Sequence, residues 1–346
     1  MQRGIREIGS EFWIEAVHNT LLTERDGVYA ISGRTAIDLI LQDILKKRPV
    51  RSAYMPAWCC DSMLAPFEDR KVEVKFYDVK VSGERLAVSG EGCTESTDIF
   101  YLTNYFGYEN TLPVETVKKF KEKGAVILYD RTHSFLMEDR AYRDLADYSF
   151  ASIRKWMGVV GGAVVDGLKD KPVLKDCPYA SVKEVAMVEK WRYLKGDQTI
   201  AKQDFLNAFG TFGHRLADDY RNYEMDALSY SLYKQKDFVA MRERRRENAA
   251  YLHEHLKGVK FLGKLTDGAV PLFVPVFFES KKQRDSIRKK LIENNIYCPV
   301  HWPKPQQIPA DFGVNEIYDT ELSVICDQRY GIEDMKEIIK IINTEL

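Results

Sequence analysis

The chain has 346 residues, 45% of them hydrophobic, and a formal net charge of −1. Its length predicts two packed units, or one large domain with an appendage, and its near-zero charge gives no electrostatic reason to expect nucleic acid or an acidic membrane as partner. Six cysteines (Cys59, Cys60, Cys93, Cys177, Cys298 and Cys326) form no CxxC pair, which argues against a zinc site or a disulfide framework. The first residues lack a signal-peptide apolar core and no window approaches a membrane span, so a soluble protein of the reducing cytoplasm is expected.

In chain order, residues from Phe12 to Leu22 read as a short amphipathic helix. A short apolar strand from Val28 meets Ser32-Gly33, where an apolar-periodic helix begins. A Ser-Gly turn at a helix start suits either an ordinary cap or an anion cradle that Arg34 and Thr35 could join. The stretch from Ser52 to Asp61 closes a strand at Pro56 and opens a helix through Phe67. Strands are expected over 72–78, 98–104 and 124–130, with a helix between Pro113 and Lys123. Strands alternating with helices predict an α/β fold with a mostly parallel sheet. Ser32-Gly33, Trp58, Asn104, Asp130 to His133 and Lys155 would then converge at the carboxyl ends of its strands.

Lys155 stands between a strand ending near Phe150 and Gly161-Gly-Ala-Val-Val165, a second apolar strand. A lysine so placed is either a charge that snorkels to water or a buried amine with a lowered pKa, available for Schiff-base chemistry. From 168 to 233 the pattern is largely helical and polar. A charged helix over 236–257 contains Arg242-Glu-Arg-Arg-Arg246, whose interspersed acids suggest a solvated face, and its His253-x-His255 spacing suits no metal on one helix face. Beyond it, strands over 269–278, 296–303 and 322–327 with helices over 281–294 and 332–342 predict a small α+β domain. The expected division is a large domain over 1–233 and a small one over 234–346.

A lysine, a strand-end aspartate and a Ser/Thr-lined anion cradle meet the three needs of pyridoxal phosphate (PLP): an amine for its aldehyde, an anion site for its phosphate and a carboxylate for its pyridine nitrogen. The ordered motifs Ser32-Gly-Arg-Thr-Ala36, Pro56-Ala-Trp-Cys-Cys-Asp61, Tyr129-Asp-Arg-Thr-His133, Ser152-Ile-Arg-Lys155 and Gly161-Gly-Ala-Val-Val165 resemble fold type I PLP enzymes. Among these the chain most resembles the DegT/DnrJ/EryC1/StrS aminotransferases, many of which act on nucleotide-linked keto-sugars. The likeness extends to Val300-His-Trp-Pro303 and Cys326-Asp-Gln-Arg-Tyr-Gly331.

The resemblance implies that Lys155 holds the cofactor and moves the proton, while Asp130 pairs with the pyridinium nitrogen and His133 contacts the cofactor's O3′ side. It places Ser32, Gly33, Arg34, Thr35 and Ser152 around the phosphate, with Trp58 or Cys60 against the ring. Asn222 would reach a neighbouring subunit's site, although Glu224 stands where the family usually has arginine. Asn104, His301 and Arg329 are substrate candidates, although an arginine beside Asp327 and Asp334 is more often structural. The implied activity is transfer of an amino group from a donor such as glutamate to a keto or aldehyde acceptor, in a homodimer with shared sites. Aldol cleavage, elimination or a non-catalytic binding role on the same scaffold are the rival readings. Ser-Gly-Arg-Thr-Ala in place of Ser-Gly-Thr-Ala-Ala, and Ser152-Ile-Arg154 in place of the frequent Phe-His-Ala-Thr approach to the lysine, depart from the family pattern and bear on phosphate geometry and on the sugar-nucleotide substrate.

Overall fold

The computed structural model describes residues 5–15, 21–22, 24–82, 85–88, 96–108 and 112–346. It opens with β1 (Ile8–Gly9), β2 (Val28–Ala30), α1 (Gly33–Leu45), β3 (Ser52–Pro56), α2 (Asp61–Glu68) and β4 (Glu73–Tyr77). The hairpin strands β5 (Val79–Ser82) and β6 (Arg85–Val88) lead to β7 (Ile99–Thr103), α3 (Val114–Glu122) and β8 (Val126–Asp130). After α4 (Arg140–Arg143), strands β9 (Tyr148–Ala151) and β10 (Ala163–Asp166) flank a 3-10 turn, Ile153–Lys155. Four helices follow: α5 (Ala180–Leu194), α6 (Lys202–Asp218), α7 (Ala227–Lys234) and α8 (Phe238–His255). The remainder is β11 (Lys260–Phe261), β12 (Val274–Phe277), α9 (Lys281–Glu293), β13 (Ile296–Tyr297), α10 (Val314–Thr320), β14 (Glu321–Val324) and α11 (Ile332–Glu345).

Seven strands form the central sheet in the order β2-β10-β9-β8-β7-β3-β4. Strands β9, β8, β7, β3 and β4 pair in parallel, and β10 runs antiparallel to both β9 and β2. The other six strands therefore share one direction, and their carboxyl ends open on one edge. All five residues of β7 are buried, as a parallel strand covered on both faces requires. Ser32 is extended and its hydroxyl accepts from the Thr35 amide (3.1 Å), which fixes the start of α1. Ala36, Ile37, Leu39, Ile40, Leu41 and Ile44 of that helix are buried in the same core. Gly161 has a steric reason: a Cβ there would lie 2.6 Å from the Ile31 carbonyl oxygen, so only glycine lets β10 start against β2.

The three-stranded sheet β11-β12-β14 is antiparallel and shares a second core with residues of α8, α9 and α11, including Leu252, Val274, Leu291, Leu322 and Ile338. Ile8 belongs to that core as well, because β1 pairs in parallel with β13 and so ties the start of the chain to its last third. Conversely, Leu262, Phe277, Ile308, Val314, Ile317 and Tyr318 pack into the core of the seven-stranded sheet. None of the described helices is long and apolar enough to cross a membrane.

Four local expectations need correction. Phe12–Glu15 are not helical, and residues 16–20 of the expected helix lie outside the described residues, as does Cys93. The strand expected over 269–278 shrinks to β12, because the Val270 and Leu272 amides donate instead to the carbonyls of Gly107 and Phe106 (both 2.9 Å). The strand expected over 296–303 stops at Tyr297, since Pro299 and Pro303 have no amide hydrogen to donate to a ladder. In α8 the run 242–246 is not wholly solvated: Arg245 is fully buried.

Candidate active site

At the carboxyl-terminal edge of the sheet lies a cavity of about 170 Å³, lined among others by Ser32, Gly33, Arg34, Cys60, Asp130, Thr132, His133, Ser152, Arg154, Lys155 and Trp302. Lys155 ends the 3-10 turn between β9 and β10. Both sides of that turn are tied down: the Ile153 amide donates to Gly162 O (3.0 Å) and the Trp156 indole to Thr132 O (2.6 Å). The Lys155 Nζ then lies 3.3 Å from His133 Nε2 and 5.5 Å from the centre of the Trp302 ring. Burial holds its pKa below the ordinary lysine value, with Arg154 adding to the fall and Cys60 and Asp130 opposing it. A lysine in this state supplies a neutral amine more readily than one in water.

Asp130, at the end of β8, is 6% exposed. Its Oδ2 accepts from the Tyr101 hydroxyl (2.8 Å) and its Oδ1 from the Thr132 amide (2.8 Å). Burial raises its pKa, although these hydrogen bonds and Lys155 work against the rise. His133 packs between Phe106 (4.5 Å between ring centres) and Trp302 (5.3 Å, stacked). Burial, with Lys155 and then His301, pushes its pKa well below the usual histidine range, so its ring is neutral.

At the opposite wall, α1 points its amino terminus into the cavity, where Ser32, Gly33 and Ser152 meet. A Cβ on Gly33 would sit 3.3 Å from Ser152 Cβ and from the Phe150 ring, so the missing side chain keeps this cradle open. Free amides at a helix start and the helix dipole favour an anion there. Arg34 lines the same wall; its guanidinium lies over Tyr220 (5.6 Å) and donates to Leu216 O (3.3 Å), while its buried Nε has no partner. The carboxylate, amine, anion cradle and orphaned guanidinium nitrogen together fit what PLP requires of its site.

Not every sequence candidate lines this cavity. The Thr35 hydroxyl is turned inward to Tyr220 O (2.7 Å). Trp58 is fully buried behind the wall, stacked on Tyr105 (4.6 Å) and donating to His301 O (2.6 Å), and Cys60 is the residue that reaches the cavity. Asn104 is buried against Asp139 (3.2 Å). Asn222 has a left-handed backbone (φ 58) and accepts from Gln42 (2.9 Å), and its neighbour Glu224 pairs with Arg25.

A second cavity of about 400 Å³ adjoins the first; Glu11, Arg154, Lys155 and Trp302 line both. His301 faces it, with its Nδ1 2.8 Å from Ser323 Oγ. Arg329 faces it too, but forms two bonds to Asp327 (2.9 and 2.8 Å) and caps the carbonyls of Ser10 and Glu11, which is a structural pairing. Sequence reasoning missed Thr132, Glu11 and Lys183. Thr132 accepts the Ser152 amide (3.1 Å) and so links β8 to the lysine turn. Lys183 could have been found, because 183, 186, 187 and 190 make up the buried stripe of α5.

No protein-family model matches the sequence, and no curated protein matches it. Solved structures do. The chain is similar to NtdA from Bacillus subtilis with bound cofactor PMP, at 14% identity and a TM-score of 0.65, over 92% of this chain and 72% of that one. A DegT DnrJ EryC1 StrS aminotransferase from Brucella abortus matches at 14% identity and TM-score 0.62, over 92% and 85% of the two chains. DesI, solved in the presence of its TDP-sugar product, matches at 15% identity and TM-score 0.62, over 92% and 80%. The likeness establishes the fold, which is that of these aminotransferases.

Proposed function

We propose that the chain is a PLP-dependent aminotransferase of the DegT/DnrJ/EryC1/StrS type, taking an amino group from a donor such as glutamate and giving it to a keto or aldehyde acceptor. The carrying observation is that Lys155, Asp130 and the α1 amino terminus with Ser152 line one cavity, at the sheet edge where strand carboxyl ends meet. DesI and its TDP-sugar product favour a nucleotide-linked keto-sugar as the acceptor.

When bound, PLP supplies an electron sink for the carbanion that amino-group exchange generates. Lys155 would hold the cofactor, and its amine would serve as the base and acid that takes a proton from the substrate carbon and returns one. Asp130 would pair with the cofactor's pyridine nitrogen, and its bonds from Tyr101 and Thr132 fix its orientation. His133 would contact the cofactor's O3′ side. Ser32, Gly33, Arg34 and Ser152 would hold its phosphate and so position it against Lys155. Residues 1–233 form the cofactor-binding domain and 234–346 the smaller one, with β1 paired to β13 of the smaller one and Leu262, Phe277 and Ile308 packed in the core of the larger. The protein works as a homodimer in the cytoplasm, where its free thiols remain reduced.

The test is borohydride reduction of the PLP-treated protein followed by peptide mapping. The expected result is one pyridoxyl adduct, on Lys155, and a visible absorbance band that glutamate bleaches before reduction. Lys155→Ala loses both while keeping its circular dichroism spectrum. An adduct distributed over surface lysines, or retained transamination in Lys155→Ala, refutes the assignment.

A further inference from the structure

Strand β14 is buried at all four positions, and its two faces differ. Leu322 and Val324 enter the second core, while the two-residue period turns Glu321 and Ser323 to the opposite side, where His301 lies. The Glu321 carboxyl accepts the His301 amide at Oε2 (2.7 Å) and meets the Ser323 hydroxyl at Oε1. Ser323 Oγ in turn lies 2.8 Å from His301 Nδ1. Glu321 and Ser323 are inaccessible to solvent, and His301 is 8% exposed. A continuous chain of hydrogen bonds therefore runs from a buried acid to an imidazole in the wall of the second cavity, which Lys155 also lines. The other ring nitrogen, His301 Nε2, has no hydrogen-bond partner among the described residues.

Such a chain has one polarity at a time. Glu321 has no ion pair among the described residues, and Arg284 of α9 donates to its backbone carbonyl (2.9 Å) and not to its carboxyl. Burial without a counter-charge favours the neutral acid, and the pKa of Glu321 rises to about 8. Its proton belongs on Oε1, because Oε2 already accepts an amide. Glu321 then donates to Ser323, and the Ser323 hydroxyl donates to a bare His301 Nδ1. Burial and Lys155 keep the His301 ring neutral, so its one hydrogen sits on Nε2. Ionising Glu321 reverses each bond: Ser323 donates to the carboxylate, Nδ1–H donates to Ser323, and Nε2 offers a lone pair. Arg284 and Cys298 face Glu321, and Lys155 and His133 face the His301 ring. Further round the cavity stand Glu11, Asp327, Arg154, Arg245 and Arg329. None of these groups hydrogen-bonds the Glu321 carboxyl or the His301 ring among the described residues.

We propose that Glu321 and Ser323 are positioning residues that fix His301 as its Nε2–H tautomer, so that His301 donates a hydrogen bond to an oxygen acceptor of the substrate at Lys155. The substrate contact rests on the transaminase reading above, whereas the tautomer does not. Both substrates of an amino exchange occupy the place beside Lys155 in turn, so one donor serves both. A neutral imidazole free to choose would present a lone pair to the same oxygen part of the time, leaving two acceptors face to face.

The test reads the tautomer by nitrogen-15 NMR of histidine-labelled protein, with His301→Phe identifying its signals among the six histidines. At pH 6 the wild type is expected to show a protonated Nε2 and a bare Nδ1, exchanging roles as pH rises through about 8. In Glu321→Gln the amide oxygen must accept the His301 amide, so its NH2 donates to Ser323 at every pH and the Nε2–H form persists at pH 9. Ser323→Ala loses the preference at both pH values. In PLP-treated Ser323→Ala, the half-saturating glutamate concentration of the half-reaction rises about three- to tenfold, the worth of one hydrogen bond, with a smaller change in limiting rate. If Ser323→Ala does not fold, the wild-type titration and Glu321→Gln decide. A ring protonated at Nδ1 at pH 6, or a tautomer indifferent to both pH and Glu321→Gln, overturns the relay. An unchanged half-saturation in Ser323→Ala overturns the substrate contact. A wild type that does not react with glutamate overturns the transaminase reading instead, while the NMR titration still decides the tautomer.

Discussion

Arg245 offers the sharpest energetic test of how the lysine turn is held. Its Nη2 donates to Trp156 O (3.3 Å), its Nη1 to Pro271 O (3.2 Å) and Leu272 O (2.8 Å), and its Nε to Gln328 Oε1 (2.8 Å), with the guanidinium 4.7 Å from the Trp156 ring centre. One side chain therefore clamps the residue after Lys155 to the segment that enters β12. Arg245→Met keeps the aliphatic stem and deletes the clamp. Four bonds from a charged donor contribute roughly 1.5–3 kcal/mol each, offset by the several kcal/mol that burying the guanidinium costs. The net loss is about 3–5 kcal/mol, because the carbonyls of Pro271 and Leu272 and the Gln328 amide oxygen lose their buried donor at about 1–3 kcal/mol each, less what burying the guanidinium cost. Unfolding entropy near 2.1 cal/mol/K per residue gives about 0.7 kcal/mol per kelvin for 346 residues, so Tm falls by roughly 4–7 °C. Calorimetry on wild type and variant reads this directly, and a fall under about 1 °C would refute the clamp.

Two other outcomes follow from buried carboxyls. Glu321 is fully buried, and burial raises its pKa to about 8 against the bonds it accepts from the His301 amide and the Ser323 hydroxyl. The folded state then holds this proton after the unfolded chain has released it, so stability is lost as pH rises from the ordinary carboxyl range through about 8. Denaturant titrations at pH 6 and pH 9 should show a smaller decline in Glu321→Gln than in wild type; equal declines would sink the assignment. Asp130→Asn should leave the Lys155 adduct in place and slow the glutamate half-reaction by ~10²-fold or more, the loss typical of one preorganised group at a reacting centre. An unchanged half-reaction rate would remove Asp130 from the chemistry.

The sequence pattern makes the sheet legible where burial is two-sided. Residues 99–103 and 126–130 are apolar runs because helices cover both faces, and each ends in the residue that meets the site. Ser32, Asp130 and Lys155 could be placed together for the same reason, since a parallel sheet gathers the ends of its strands. Trp58 and Cys60 could not be sorted. They lie in the irregular turn after Pro56, where neither a two-residue nor a 3.6-residue period says which side chain faces inward. The short β12 escapes for a different reason: the carbonyls of Phe106 and Gly107 capture amides a ladder would otherwise use, a contact between segments over 160 residues apart.

The charged residues inside helices carry the harder lesson. Arg245 lies on the same inward stripe as Met241, Ala249 and Leu252, and Lys183 on the stripe of Ala186 and Met187. Periodicity alone puts both inside, whereas charge alone puts both outside, so a reading that lets charge decide assigns them to solvent. What separates them from each other is partner accounting. Arg245 finds an acceptor for each of its three nitrogens and is thereby explained as structure. Lys183 finds only a ring, and it borders the cavity that holds the reactive amine. A buried charge whose hydrogens all find acceptors in its own chain, as those of Arg245 do, is read from its partners and not from its place in the sequence.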